Sequence, residues 1–224
     1  IGYGAGQYLK DGAVGAVHLG YEAGRYASGS YNVSMGYNAL KGTSSAPYST
    51  GENNVAIGRQ ALVAFTTGTQ NVAIGAEAGD NITTGAGHVF IGYQAGDAVT
   101  TSQNSVAIGN GALRDGSGGT NTIAIGVFAG LVNTTESLFI GASSGQYTTS
   151  GAGNVAIGSK AGYGNNTGAS NTYVGFESGK GVANNANSNN TGLGYRSLLA
   201  ITTATGNTAI GYQSGDSITT SGEN

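Results

Sequence analysis

The chain has 224 residues and a formal net charge of −3, with only 8% of residues charged and 43 of them glycine. So few charges argue against a conventional disordered segment, which pairs low hydrophobicity with high net charge, and a single proline without a glycine period of three excludes collagen. The absence of cysteine excludes a disulfide framework or thiolate metal centre; no basic patch exists for nucleic acid, and no apolar run approaches the ~18 residues of a membrane span.

From the first residue onward, one unit repeats. A large aliphatic residue followed by glycine recurs thirteen times, at Gly2, Gly20, Gly36, Gly58, Gly75, Gly92, Gly109, Gly126, Gly141, Gly158, Gly175, Gly194 and Gly211. Successive spacings are 18, 16, 22, 17, 17, 17, 17, 15, 17, 17, 19 and 17, so the period is 17 with length changes confined to one loop. Two residues before the aliphatic one stands Val17, Val33, Val55, Val72, Val89, Val106, Ile123, Leu138 or Val155, and then Thr172, Thr191 and Thr208. Between them the residue is usually small, as in Ala56, Ala73, Ala107, Ala124, Ala156 and Ala209.

Val-Ala-Ile has period two and reads as a strand with Val and Ile on one face. The following Gly marks a bend or a close backbone approach. Ala or Ser comes three residues after that Gly, then Gly or Leu, then in most units a Thr-Thr pair with Gly and Asn suited to turns. Seventeen residues leave no room for a helical crossover. The expected fold is all-β: a parallel β-solenoid or β-roll of about 13 coils, one repeat array over residues 1–224, stacked at ~4.8 Å per coil. The chain begins without Met and ends inside a repeat, so it is expected to belong to a longer fibre.

The larger residues are expected to fill the lumen as a core ladder of Ile57, Ile74, Ile91, Ile108, Ile125, Ile140, Ile157, Val174 and Ile210. One Val, one Ile and a few Ala per coil bury too little to offset the ordering of the whole coil. The small Ala face is therefore expected to admit a neighbouring chain, giving a homotrimer.

Asn71-Val72-Ala73-Ile74-Gly75 and Asn104-Ser105-Val106-Ala107-Ile108-Gly109 resemble the head repeats of trimeric autotransporter adhesins. That resemblance implies a left-handed parallel β-roll in each chain and three rolls per head. Ile91-Gly92-Tyr93-Gln94-Ala95-Gly96 with Thr100-Thr101, and Asn207-Thr208-Ala209-Ile210-Gly211-Tyr212-Gln213-Ser214-Gly215, are also similar to repeats of bacteriophage and algal-virus tail-fibre proteins. The period of 17 is longer than that of adhesin heads and favours the fibre-type repeat.

Candidate surfaces follow from what would stack. Tyr3, Tyr21, Tyr37, Tyr93, Phe176, Tyr195 and Tyr212 occupy the position after the repeat Gly and would form an aromatic ladder, broken by residues such as Arg59, Ala76, Asn110 and Val127. Such a strip either binds sugar faces or stacks structurally; the structural reading is favoured. Thr66-Thr67, Thr83-Thr84, Thr100-Thr101, Thr134-Thr135, Thr148-Thr149, Thr202-Thr203 and Thr219-Thr220 could suggest an ice-binding face, but adjacent residues in a strand point to opposite faces, and turn stabilisation is the simpler role. Asp80, Asp97 and Asp216 are too few and too isolated for the six to eight oxygens of Ca²⁺. His18 and His88 lie at non-equivalent repeat positions, and the acids Glu22, Glu77 and Glu177 fall in non-adjacent coils. No catalytic residue, metal site or cofactor is therefore expected.

The expected function is structural and adhesive: a rigid trimeric shaft or head attaching a virion tail fibre or cell-surface appendage to a host. Its partners would be copies of itself and a host glycan or protein receptor, in an extracellular setting. A self-polymerising extracellular filament and an ice-binding solenoid are the alternatives.

Overall fold

A computed structural model describes residues 1–9, 13–45, 48–116, 120–133 and 135–220. Two compact units divide the chain, Ile1–Arg114 and Asp115–Asn224. The first carries strands β1 (Val17–Leu19), β2 (Val33–Met35), β3 (Val55–Ile57), β4 (Val72–Ile74), β5 (Val89–Ile91) and β6 (Val106–Ile108). The second carries β7 (Ile123–Ile125), β8 (Ser137–Ile140), β9 (Asn154–Ile157), β10 (Thr172–Val174), β11 (Thr191–Leu193) and β12 (Thr208–Ile210). Within each unit the strands pair parallel in chain order, equivalent residues opposite one another: Val72 opposite Val89, Ile74 opposite Ile91, Val155 opposite Thr172. Each repeat is one coil of a parallel β-solenoid, and each coil contributes one short strand.

The corner after the strand explains the invariant glycine. Gly92 has φ +135°, a region closed to L side chains. A Cβ there would lie 2.6 Å from the carbonyl oxygen of Gly109 in the next coil. Stacked glycines thus let successive corners sit at ladder spacing, and Gly92 N–H donates to Ile74 O at 2.8 Å.

The two faces of the strand are inverted relative to the expectation from size. Ala56, Ala73, Ala107 and Ala124 are fully buried. The expected core ladder of Ile57, Ile74, Ile91, Ile108, Ile125, Ile140, Ile157, Val174 and Ile210 points outward instead, half-buried in most coils, with Ile74 36% and Ile210 65% exposed. The Val row turns outward with it. Alternation establishes that the strand has two faces but not which is inside. The inside is chosen by volume, because a 17-residue coil closes on too thin an interior for two rows of branched side chains.

That interior is filled by a rule of exchange. The strand's central residue faces the residue six positions on, and at most one of the two is large. Where the centre is Ser34, Ala56, Ala107 or Gly192, the partner is Leu40, Leu62, Leu113 or Leu198, all fully buried. Where the centre is Phe90, Phe139 or Tyr173, the partner is Gly96, Gly145 or Gly179, and a Cβ on that glycine would overlap the ring. Where both are small, as in Ala73 and Gly79, the coil's own Ile82 and the adjacent coils supply the bulk: a Cβ at Gly79 would lie 3.0 Å from Ile82 and from Phe90 of the next coil, and 3.3 Å from Leu62 of the preceding one. The aromatic replacements of Ala thus fill their own coil.

A buried amide ladder lines the entry to β2, β3 and β4 in the first unit and to β9, β10, β11 and β12 in the second. Asn71 N and Nδ2 both donate to Asn54 Oδ1 at 3.0 and 3.1 Å, and Nδ2 also donates to Gly85 O at 2.9 Å. The same pattern joins Asn32 to Asn54 in the first unit, and Asn154, Asn171, Asn190 and Asn207 in the second. Because each buried amide is satisfied by the next coil, the ladder holds register from coil to coil.

Candidate functional site

The aromatic row predicted after the repeat glycine exists in two stacks. In the first unit Tyr3, Tyr21 and Tyr37 stack with ring centroids 5.3 Å apart and interplanar angles of 18° and 10°. Tyr93 lies farther along that row, beyond Arg59 and Ala76, and is 46% exposed. In the second unit Phe176, Tyr195 and Tyr212 stack at 5.5 and 5.3 Å. Stacking covers the ring faces with one another and leaves mainly edges and phenol oxygens to solvent. Since sugar recognition by aromatics needs an open face, the row is chiefly a structural stack.

The Thr pairs spend hydroxyls on the neighbouring coil. Thr66 Oγ1 donates to Thr83 O at 3.0 Å, Thr83 Oγ1 to Thr100 O at 3.3 Å, and Thr202 Oγ1 to Thr219 O at 3.0 Å. Thr135 and Thr149 do the same to Gly151 O and Asn166 O, while Thr134 lies outside the described residues. These bonds stabilise turns.

His88 replaces Asn in the amide ladder. Its backbone N–H donates to Asn71 Oδ1, its Nδ1 accepts from Ser105 N–H at 3.2 Å, and its Nε2 lies 2.8 Å from Ser102 O. This arrangement requires the neutral ring with the proton on Nε2, and burial holds the imidazole below its ordinary pKa. Asp80 and Asp97 come together from successive coils, both accepting from Asn81 Nδ2 at 3.0 and 2.9 Å. Burial first, then the hydrogen bond and charge of Asp97, push the Asp80 carboxyl up to about 8. The carboxyl pair therefore favours its protonated form. Asp216 lies in the other unit. Among the described residues no group of three or more His, Cys, Asp or Glu gathers, and no helix is long and apolar enough to cross a membrane.

Two charged corners escaped the sequence reading. Glu22, at φ +51° and 7% exposed, holds Arg25 and receives Lys41 Nζ at 2.7 Å. Glu177, at φ +53° and 6% exposed, holds Lys180 Nζ and Arg196 Nε, each at 2.8 Å. Each carboxylate sits two residues after the repeat glycine, with one cation three residues on and the second from the following coil. Hydrogen bonds from Lys41 and from Lys180, respectively, lead in holding the two carboxyls below their ordinary pKa. Glu77 is different: it holds Arg59, and its second oxygen takes Gln94 Nε2 at 2.9 Å. The signal in the sequence was the shared Glu-x-x-cation spacing of Glu22–Arg25 and Glu177–Lys180. Reading Glu22, Glu77 and Glu177 only as possible paired acids hid it.

A second aromatic cluster was also missed. Tyr8, Tyr26 and Tyr48 gather with centroids 5.1 to 5.9 Å apart, and the Arg25 guanidinium lies 5.2 Å from the Tyr26 ring centroid. Tyr8 and Tyr26 each stand six residues after a repeat glycine, a column that was legible.

Comparison with protein-family models, with curated proteins and with solved structures finds no match.

Proposed function

We propose that this chain is a structural and adhesive fibre segment: a rigid homotrimeric shaft or head, outside the cell, on a virion tail fibre or a cell-surface appendage. The observation that carries the reading is the outward Val/Ile face. In the first unit every strand presents Val in one outer row and Leu, Met or Ile in the other, in register from β1 to β6. Val17 is 57%, Leu19 39% and Met35 45% exposed in the isolated chain. A continuous apolar sheet face of this kind is a feature of interaction sites rather than of free surface. Other copies of the chain are the natural cover, because their own rows repeat at the same coil spacing, and the repeat's resemblance to trimeric adhesin and tail-fibre repeats sets the number at three. Surface groups repeated coil after coil would then be presented three-fold, so that weak contacts with a host glycan or protein gain by multivalency.

The test of the adhesive part is attachment. Beads coated with the protein should be retained on at least one class of host cell, saturably, and be released by excess free protein. Retention no better than that of bare beads on bacterial, algal and animal cells would contradict it.

A further inference from the structure

The two Glu-centred corners each border an open recess, and each recess opens where a coil exceeds the 17-residue period. The step from Gly36 to Gly58 is 22 residues and that from Gly175 to Gly194 is 19. In the second unit Gly181 and Val182 of the longer coil form one wall of a recess of about 470 Å³. Leu199 and Ala200 give it an apolar side, Thr202 and Thr219 bring hydroxyl-bearing residues, and Glu177, Lys180 and Arg196 stand at its charged side. In the first unit Thr43, Ser44 and Ser45 of the longer coil line a recess of about 500 Å³ with Tyr26, Lys41 and Val63. Both volumes lie within the ~300–1,000 Å³ usual for ligand sites.

The charge arrangement is what makes these recesses distinctive. The chain has 8 Lys and Arg, and four of them, Arg25, Lys41, Lys180 and Arg196, belong to these two corners. Each corner sets two cations against one carboxylate, so each is locally cationic in an acidic chain. The nearly buried Glu takes one N–H from Lys180 and one from Arg196, which fixes both side chains while their remaining donors are free to face a ligand. Arg196 is held further by its position 5.2 Å from the Tyr195 ring centroid. Preorganised cations beside hydroxyl-bearing and apolar walls suit a ligand carrying an anion on a ring that alternates hydroxyl and C–H surface.

We infer that the two recesses, bordered by Lys180 and Arg196 in one unit and by Lys41 in the other, bind acidic saccharides, with the cations pairing the sugar's carboxylate or sulfate. This deepens the adhesive reading and rests on it for its setting, naming the receptor class as an anionic glycan. A lysine held by a Glu recurs at both recesses, Lys180 in one and Lys41 in the other, and two such sites supply the multivalency a weak sugar site needs.

The test is calorimetric titration of the intact protein with a digalacturonate, a sulfated digalactose, neutral digalactose and triglutamate. Binding of either acidic sugar, with one site per recess and weakening as salt rises, is the expected result; which acidic sugar binds tells a uronate source from a sulfate-ester source. The double variant Lys180→Gln, Arg196→Gln should remove one of the two sites and leave the other, and Lys41→Gln should weaken the remaining one about tenfold, as loss of a charge-assisted bond would. Lys180→Arg should retain binding, and circular dichroism should show each variant folded. Equal binding of the neutral sugar, binding of triglutamate as tight as that of the acidic sugars, binding indifferent to all these variants, or no heat with either acidic sugar would each overturn the inference. Sedimentation of the same samples separates this from the shaft reading: a trimer that binds no acidic sugar sinks only the glycan site, and a monomer that binds sinks only the shaft.

Discussion

On every strand the central residue and its two neighbours face opposite fates. The centre lies in an interior so thin that Ala fills it, and a larger centre such as Phe139 is accepted only opposite a glycine. The flanking Val and Ile, the most apolar residues of the repeat, are left half-exposed. Stability of the single chain is therefore concentrated in small residues and corners, whereas the large aliphatics are available for association. The difference can be broken from either side.

The largest effect is expected at the corner. Gly92→Ala forces an L side chain to φ +135° and against Gly109 O, and should cost about 3–5 kcal/mol in urea unfolding. That is a large share of the ~5–15 kcal/mol that native domains have.

Next comes the exchange rule. Phe139→Ala should cost about 3–5 kcal/mol through the cavity it leaves. Adding Gly145→Leu should recover most of that loss, because Leu40, Leu62, Leu113 and Leu198 occupy the equivalent position at φ +50° to +52°. Gly145→Leu alone, with the Phe139 ring in place, should be strongly destabilising. Additive effects in this cycle would refute the exchange.

The amide ladder should give a smaller loss. Asn71→Ala leaves Gly85 O without its side-chain donor and removes the acceptor of His88 N–H, for about 1–3 kcal/mol. Hydrogen exchange should then quicken in coils on both sides of the substitution rather than at one residue.

The smallest effect on the folded chain is at the Asp80–Asp97 contact. The raised Asp80 pKa means that its contribution is complete below the ordinary value of 3.8 and is lost as pH rises through about 8. Glu77 and Asp97 both oppose its ionisation. Asp80→Asn should therefore flatten the decline of the melting temperature between about pH 4 and 8, with its gain growing across that window and levelling above it. A gain equal at all pH values would show that the carboxyl's charge is not the cause.

Much of the coil was legible because it repeats. The period, the parallel strands and the invariant corner glycine all follow from residues that recur thirteen times. The direction of the strand faces was not, since alternation in Val72-Ala73-Ile74 is symmetric to inversion and side-chain volume decides it. The coupling of Phe90 to Gly96 and of Ala56 to Leu62 was visible as alternation of Gly with Leu six residues on, but only the close approach of the two walls gives it meaning. The Asn at the entry to seven of the strands was equally visible, yet its ladder depends on stacking across coils. The Glu22 and Glu177 corners draw one cation from the adjacent coil, so sequence spacing alone disclosed half of each cluster.

The outward face remains the centre of the account, and the mass of the protein in solution tests it most directly. Light scattering coupled to size exclusion should give three times 22.0 kDa for the native chain, and a lower mass for Ile91→Glu with little change in its circular dichroism. A native chain that stays at 22.0 kDa at every concentration, with its Val and Ile rows in water, would contradict the account.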